Sequence, residues 1–230
     1  MPLPQRLAWA LLVVVIAGLS GVAIYQKAAA RSPSDSGEGT IIRLDEQRPV
    51  SVPLNGPDMT RAENLPILKT IKPFTFTNQH GSKMTEKDFK DQVWVAAFVF
   101  TRCSVSCPMI TSVMAALNKE LADTPEVKLV SFSMDPEFDT PEVLTKYAEA
   151  QSAVSARWYF LTGNKEDLLR MTHEDFMLAA TEKNAPNEQI IHSNKIALVD
   201  REGRVRGYFA GSDVTRVKEM AATIRKLLKQ

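Results

Sequence analysis

The sequence is poor in cysteine and histidine and carries almost no net charge. Its 230 residues include two cysteines and three histidines, and the formal net charge is +1. Without a basic excess, or basic runs interleaved with aromatic side chains, the chain has no feature that attracts nucleic acid, so we expect no nucleic-acid partner. The paired C-x-x-C motifs of a zinc site are also excluded. Length and composition predict one globular domain with an additional segment.

An uncharged segment near the N-terminus predicts membrane attachment. Leu7–Tyr25 contains no charged residue and is close to the roughly 20 apolar residues that a bilayer-spanning helix needs. Trp9 and Tyr25 lie near its two ends, where interfacial aromatic residues are common. Signal-peptide cores are usually shorter, about 7–15 residues, so residues 1–27 are interpreted as an uncleaved anchor. A cleaved signal ending near Ala28–Ala30 and a buried core helix are the alternatives.

The predicted orientation exports the globular part of the chain. Only the short stretch up to Arg6 precedes the apolar segment, which favours a cytoplasmic N-terminus and is too little for a mitochondrial transit peptide. We therefore expect a single-pass protein of the bacterial inner membrane with its globular domain in the periplasm. Residues 28–72, polar at first and then interrupted by prolines, predict a tether and an extended lead-in to a domain at residues 73–230.

From Pro73 onward the pattern alternates between strands and helices. The continuous apolar run Val93–Phe100 is typical of a strand buried on both faces, and Thr140-Pro141 predicts a helix start with Thr140 as the N-cap. The series comprises strands at Phe74–Thr77, Val93–Phe100, Val127–Met134, Trp158–Leu161, Ile196–Val199 and Val205–Phe209, with helices at Ile110–Leu121, from Thr140, at Lys165–Met171 and at Val217–Leu228. This order, with a hairpin turn at Asp200–Gly203 and a polar loop at Glu174–Gln189, predicts an α/β, thioredoxin-like fold.

The two cysteines follow the buried strand and are separated by three residues. Cys103 and Cys107 precede the helix that contains Ile110, and sites of open α/β sheets form at this carboxyl end of a strand. With Pro108 predicted at the first helical position, Cys107 lies near a helix N-terminus, where free N–H groups and the dipole favour a thiolate. A disulfide closing so short a loop would add little stability, which disfavours a purely structural pair.

Thiolates are both nucleophiles for disulfide exchange and soft metal ligands. Two thiolates suit copper(I), and one imidazole would complete a three-coordinate site. His192 is the candidate, since it lies between the long loop and a late strand. His80 lies in a polar turn and His173 in an acidic stretch, where histidines are more often solvated bystanders.

Three separate motifs closely resemble the Sco/SenC family. The motifs, which occur in the family's order from about Pro73 to the C-terminus, are Phe98–Cys103 with Cys107-Pro108, then Ser133–Pro141, then His192-Ser193 with Leu198–Gly203 and Tyr208-Phe209. The resemblance implies a membrane-tethered, thioredoxin-like protein that binds a copper ion through Cys103, Cys107 and His192. It also implies a function as a metallochaperone that assists assembly of the dinuclear copper site of cytochrome c oxidase.

The implied partners are the copper-receiving subunit of cytochrome c oxidase or another cuproprotein, and the membrane through Leu7–Tyr25. The alternative is a thiol-disulfide oxidoreductase that keeps cuproprotein cysteines reduced, with Cys103 as the attacking thiol. Many family members have proline after the first cysteine, where this chain has Ser104, which bears on the redox balance of the pair. Asp135 and Asp139 either shape the start of the next helix or lie beside the metal site, and neither is expected to be a ligand.

Overall fold

The structure is a computed structural model that describes residues 65–151, 153, 156–180 and 193–230. All of these belong to one unit of the chain, Asn55–Gln230. The predicted anchor at residues 1–27, the predicted tether up to residue 64, and His192 lie outside the described residues. Within the described ranges, no helix has the length and apolar character needed to cross a membrane.

The described residues form eight strands and four α-helices. The strands are β1 (Lys69–Thr70), β2 (Thr75–Asn78), β3 (Lys83–Thr85), β4 (Trp94–Val99), β5 (Lys128–Ser133), β6 (Trp158–Thr162), β7 (Lys195–Val199) and β8 (Arg204–Ala210). The helices are α1 (Ser106–Glu120), α2 (Pro141–Ala150), α3 (Lys165–Arg170) and α4 (Val217–Leu227). Short 3₁₀ turns occur at Glu86–Phe89 and Val214–Arg216, and a π-helical turn at Met171–Asp175 continues α3.

The strands form one mixed sheet in the order β1-β8-β7-β4-β5-β6-β2-β3. β4, β5 and β6 are parallel, with helices as their crossovers, whereas β7 is antiparallel to β4 and forms a hairpin with β8. The predicted β-α-β-α-β order, followed by a hairpin and a closing helix, is confirmed. From the predicted lead-in, β1 adds to the edge of the sheet by pairing with β8.

Strand β4 lies in the middle of the sheet and is buried on both faces. Val95, Ala97 and Val99 face the core formed with α1, α2 and α4. The alternate residues, from Trp94 to Phe98, face a second core that contains α3 and many aromatic rings. Because successive side chains of a strand point to opposite faces, two covered faces require a continuous apolar run. Full burial of each larger side chain contributes about 1.5–3 kcal/mol.

The second core extends into a segment predicted to be a loop. The helical path of α3 continues to Asp175, and Phe176 is completely buried with its ring centroid 5.1 Å from that of Phe98. The prediction of a loop from Glu174 is therefore wrong for its first residues, because burial of an aromatic ring outweighs the polar character of its neighbours. Tyr208 strengthens this attachment by donating its hydroxyl to the carbonyl of Phe176 at 2.7 Å.

Two predicted helix starts have different outcomes. Helix α2 begins at Pro141, and the Thr140 hydroxyl accepts a hydrogen bond from the amide of Val143 at 3.4 Å, so this N-cap is confirmed. Helix α1 begins at Ser106 rather than at Pro108. Proline is tolerated throughout the first turn, because the amides there have no acceptor within the helix. Proline therefore marks this helix start only approximately.

Candidate metal centre

Strand β4 leads directly to the first cysteine. The chain turns after β4 with a hydrogen bond from the Cys103 amide to the Phe100 carbonyl at 3.2 Å, and α1 then begins at Ser106. Cys103 is partly exposed, whereas Cys107, in the first turn of α1, is completely buried in the core. The Phe100 amide donates to the Cys107 sulfur at 3.4 Å, and both cysteines are free thiols. One accessible and one inaccessible sulfur thus lie at the carboxyl end of a central strand.

The two sulfurs have opposite electrostatic environments. Burial opposes a thiolate at Cys103, but hydrogen bonds from the Ser106 hydroxyl and from the backbone of Cys107 and Val105 outweigh it and lower its pKa to about 7. The Ser106 oxygen and the Cys107 amide nitrogen each lie 3.5 Å from the Cys103 sulfur. At Cys107, burial dominates and raises the pKa to about 12.

The expectation that the helix N-terminus favours a thiolate at Cys107 is therefore wrong. The Cys107 sulfur lies in the apolar core, where loss of hydration penalises the charged form more than the helix end favours it. The backbone amide of Cys107 instead donates a hydrogen bond to the sulfur of Cys103. Cys103 is thus the more exposed of the two thiols, which fits its predicted role as the attacking thiol of the oxidoreductase alternative.

Two acidic residues of the loop after β5, Asp135 and Asp139, contact the chain just before Cys103. Asp139, which has no exposed surface, accepts hydrogen bonds from the Thr101 amide at 3.2 Å, from the Thr101 hydroxyl, and from the Ser133 hydroxyl at 2.6 Å. Burial raises the pKa of Asp139, and these donors oppose that effect. Asp135 accepts hydrogen bonds from Arg102. Both carboxylates therefore support the cysteine loop as well as shaping the turn before α2.

Three apolar side chains in or beside the cysteine segment are exposed: Val105 and Met109 follow Cys103 in the chain, and Phe138 contacts Arg102. Their exposed fractions are 73%, 46% and 43%. The guanidinium carbon of Arg102 lies 4.3 Å from the centroid of the Phe138 ring, and its charge is paired with Asp135. The segments that adjoin Cys103 therefore expose apolar side chains to solvent.

His192 lies outside the described residues, and the structure shows how the chain continues after it. The Ser193 amide donates to the Ala179 carbonyl at 2.9 Å, and the Gly211 amide donates to the Asn194 carbonyl at 2.8 Å. Since β7 runs antiparallel to β4, its first residue lies at the sheet edge where β4 ends. Ser193 and Asn194, which precede β7, therefore belong to the same edge as the cysteine loop.

The other two histidines have local roles. His80 is exposed in the β2–β3 turn, where its amide donates to the Asn78 side chain at 2.9 Å. The imidazole Nε2 of His173 lies 2.7 Å from the Ala180 carbonyl oxygen. Across the ranges that the structure describes, no group of three or more His, Cys, Asp and Glu side chains is placed to hold a metal ion. The predicted set of ligands includes His192, which those ranges do not contain.

Several residues that act on the dithiol are not singled out by the sequence pattern. Ser106 lies between the cysteines, and its position inside the C-x-x-x-C motif is the one available signal. Thr101 and Arg102 find their acceptors in Asp139 and Asp135, which are distant in sequence. Only the parallel pairing of β4 with β5 brings these segments together.

Comparison with known proteins shows that the chain matches one family. Residues 63–229 match the sequence profile of the SCO1/SenC family. A SCO1/SenC family lipoprotein from Bacillus anthracis str. Ames is 33% identical with a TM-score of 0.67, and the match covers 72% of this chain and 99% of that chain. A second similar structure is that of BsSco, a member of the Sco family of cytochrome c oxidase assembly proteins in which a disulfide switch was identified. It is 32% identical with a TM-score of 0.64, and the match covers 71% of this chain and 96% of that chain.

A third similar structure is Bradyrhizobium japonicum ScoI with copper bound. It is 27% identical with a TM-score of 0.55, and the match covers 69% of this chain and 99% of that chain. The three matches confirm the predicted thioredoxin-like α/β fold of the described residues.

Proposed function

This chain belongs to the SCO1/SenC family, and we propose that it is a copper chaperone with Cys103, Cys107 and His192 as the ligands. The recipient is proposed to be the copper-receiving subunit of cytochrome c oxidase or another cuproprotein. The observation that carries the proposal is the pair of unlike thiols, one accessible and one buried, at the sheet edge where β7 begins. Copper bound to ScoI, and the description of BsSco as an oxidase assembly protein, support it.

The donor set suits copper(I) chemically. Thiolates are soft ligands that select this ion over harder cations, and an imidazole adds a third donor. Binding requires both sulfurs to be deprotonated, so copper must displace the proton that burial retains on Cys107. We therefore expect one proton to be released from Cys107 on copper binding, together with the remaining protonated fraction of Cys103.

The unlike exposure of the sulfurs suggests a direction for transfer. A partner's ligand can approach copper from the side of Cys103, which is the partly exposed cysteine of the pair. Cys107 is covered by the core and holds the ion from the opposite side. Exchange is then expected to begin with replacement of Cys103, while Cys107 retains the copper until the partner has supplied a second ligand.

The proposed location follows from the sequence. Leu7–Tyr25 is proposed to span the inner membrane of a bacterium once, with residues 28–72 as tether and lead-in and residues 73–230 as the copper-binding domain in the periplasm. The description of the Bacillus anthracis relative as a lipoprotein supports attachment to a membrane, there by a lipid.

A thiol-disulfide oxidoreductase is the second candidate, and the low pKa of the exposed Cys103 favours it specifically. In this case the Cys103 thiolate attacks a partner disulfide, forming a mixed disulfide and releasing one partner thiolate. Cys107 loses its proton and attacks the Cys103 sulfur, which closes the intramolecular disulfide and releases the second partner thiolate. Two electrons pass to the partner. The disulfide switch of BsSco is consistent with such chemistry.

Metal analysis of the soluble part of the chain tests the copper proposal. A fragment beginning at Ser32 is expected to fold, because the described core lies between Leu65 and Leu227. Purified reduced and without air, it should bind about one copper per chain, whereas Cys103→Ser and Cys107→Ser should lose tight binding with the loss of a soft donor. Tight, near-stoichiometric copper binding by either variant would contradict the proposed site.

A further inference from the structure

Asp139 carries a carboxylate into the interior beside the cysteine loop. None of its surface is exposed, and such burial is unfavourable unless hydrogen-bond donors surround the group. Thr101 supplies two donors, its amide at 3.2 Å and its hydroxyl, and Ser133 supplies a third at 2.6 Å. Ser133 ends β5, and Thr101 follows β4. Asp139 therefore ties together the ends of two neighbouring parallel strands, directly before Cys103.

A second tie holds the next residue of the same loop. Arg102 donates to Asp135 through Nε at 2.9 Å and also through Nη2, and its guanidinium lies over the ring of Phe138. The Asp139 amide in turn donates to the Asp135 carbonyl at 2.9 Å. Two consecutive residues before Cys103 are thus held by a single loop of the protein.

The two ties differ in strength. The Arg102 side chain is 47% exposed, and an ion pair in contact with water contributes little to stability. The Asp139 carboxylate has no exposed surface and Thr101 is partly buried, so water competes less for their hydrogen bonds than for the Arg102 ion pair. The tie between Asp139 and Thr101 is therefore the stronger constraint on the loop.

We propose that Asp139 is a positioning residue for Cys103. Through Thr101 it maintains the loop in which the Cys103 sulfur lies against the Cys107 amide, and so keeps the two sulfurs in the arrangement that a shared copper ion or a disulfide bond requires. A loop without this tie occupies many conformations, and only a fraction of them keep the sulfurs together. The copper part rests on the proposed function, whereas the disulfide part needs only the two thiols.

Two substitutions of nearly unchanged shape test the proposal, Asp139→Asn and Thr101→Val. The measurements are copper(I) affinity, by competition with a colorimetric chelator, and the effective concentration of the Cys103–Cys107 pair, from disulfide equilibrium with glutathione. In folded Asp139→Asn, both should fall about tenfold, as is typical for groups that orient ligands. Thr101→Val should lower both less, roughly threefold, because the Thr101 amide still donates to Asp139.

A matched control separates positioning from stability. Asp200 is also buried and accepts hydrogen bonds from Arg204 and Arg206, but it lies in the β7–β8 turn, at the opposite end of β4 from the cysteines. Asp200→Asn should lower the free energy of unfolding without changing copper affinity or effective concentration. In the Thr101→Val background, Asp139→Asn should cause a smaller further loss than it causes alone, because the two residues form one contact.

The outcomes distinguish the two proposals. Folded Asp139→Asn with both quantities within about twofold of wild type would overturn the positioning role, as would fully additive losses in the double variant. If Asp139→Asn does not fold, Thr101→Val decides in the same way, and wild-type values would overturn the role. A wild-type protein that binds no copper would defeat the proposed function, while the glutathione measurement would still test the positioning role.

Discussion

The backbone amide of Cys107 donates a hydrogen bond to the sulfur of Cys103 across 3.5 Å. The buried cysteine thus favours a thiolate on its exposed neighbour, while its own sulfur remains a thiol with a pKa of about 12. Two cysteines in one short motif therefore differ in charge near neutral pH. A symmetric pair would offer a partner two equivalent sulfurs, whereas this pair offers one.

Alkylation of the reduced, metal-free protein should report this difference. Since the pKa of Cys103 is lowered to about 7, its thiolate is populated above that pH and lost as the pH falls through it. The rate of labelling by iodoacetamide should therefore rise steeply from about pH 6 to about pH 8 and then level off. Peptide mass spectrometry should find the label on Cys103, and on Cys107 only after unfolding in urea. Faster labelling of Cys107 in the folded protein would refute the assignment.

Ser106→Ala should slow the alkylation of Cys103. The Ser106 hydroxyl, 3.5 Å from the sulfur, supports the thiolate, so its removal raises the pKa of Cys103. At about pH 7 the rate should fall roughly threefold, as expected for loss of one modest hydrogen bond. Ser104→Ala, in the exposed part of the same loop, is the matched control and should react like wild type. Equal rates for both variants would show that Ser106 has no part in the effect.

His192→Ala should separate the chaperone from the reductase. An imidazole contributes a bond to copper but no electrons to disulfide exchange, whose rate depends on thiolate fraction and leaving group. The variant should bind copper much more weakly, yet reduce a model disulfide at a rate similar to wild type. His80→Ala, in the β2–β3 turn, is the control and should retain copper.

Oxidase assembly in cells that carry His192→Ala should show whether the function is copper transfer or thiol reduction. If the function is copper transfer, the variant fails to support oxidase assembly at limiting copper. Full assembly by His192→Ala, with Cys103→Ser inactive, would favour the oxidoreductase instead.

Arg157→Ala should destabilise the domain without affecting copper. The Arg157 guanidinium donates to the carbonyls of Asn118, Leu121 and Thr124 at the C-terminal end of α1. Losing these charged hydrogen bonds should lower the free energy of unfolding by about 2–3 kcal/mol in urea titrations. Arg225→Ala removes a pair with the exposed Asp123 near the same helix end and should lower the free energy of unfolding less, because water screens an exposed ion pair. A reduced copper stoichiometry in folded Arg157→Ala would contradict its purely structural role.

Local patterns predict much of this fold because they depend on neighbouring residues. The apolar run of β4 and the Thr140 N-cap can both be recognised from residues that are adjacent in sequence. The hairpin turn is of the same kind, with Gly203 in the left-handed region at a φ of 73°. β3 has no such signal, since its three residues are held mainly by pairing with β2.

The protonation and contacts of the site residues are harder to predict from the sequence, because they depend on tertiary contacts. A helix N-terminus argues for a thiolate at Cys107, and only the packed core shows that its sulfur is desolvated. The partnership of Asp139 with Thr101 likewise requires β4 and β5 to be neighbours. The motif identifies which residues matter, while the packing decides which sulfur reacts.

The pairing of β7 with β4 has a consequence for biosynthesis. In sequence, β5, β6 and their helices separate these neighbouring strands. Both cysteines are therefore synthesised well before β7 and β8 exist to complete the sheet, and such non-local pairing forms slowly. During that interval the nascent chain carries two thiols without the segment that contains the proposed third ligand. We expect metal loading to wait until translation and folding of the last third of the chain are complete.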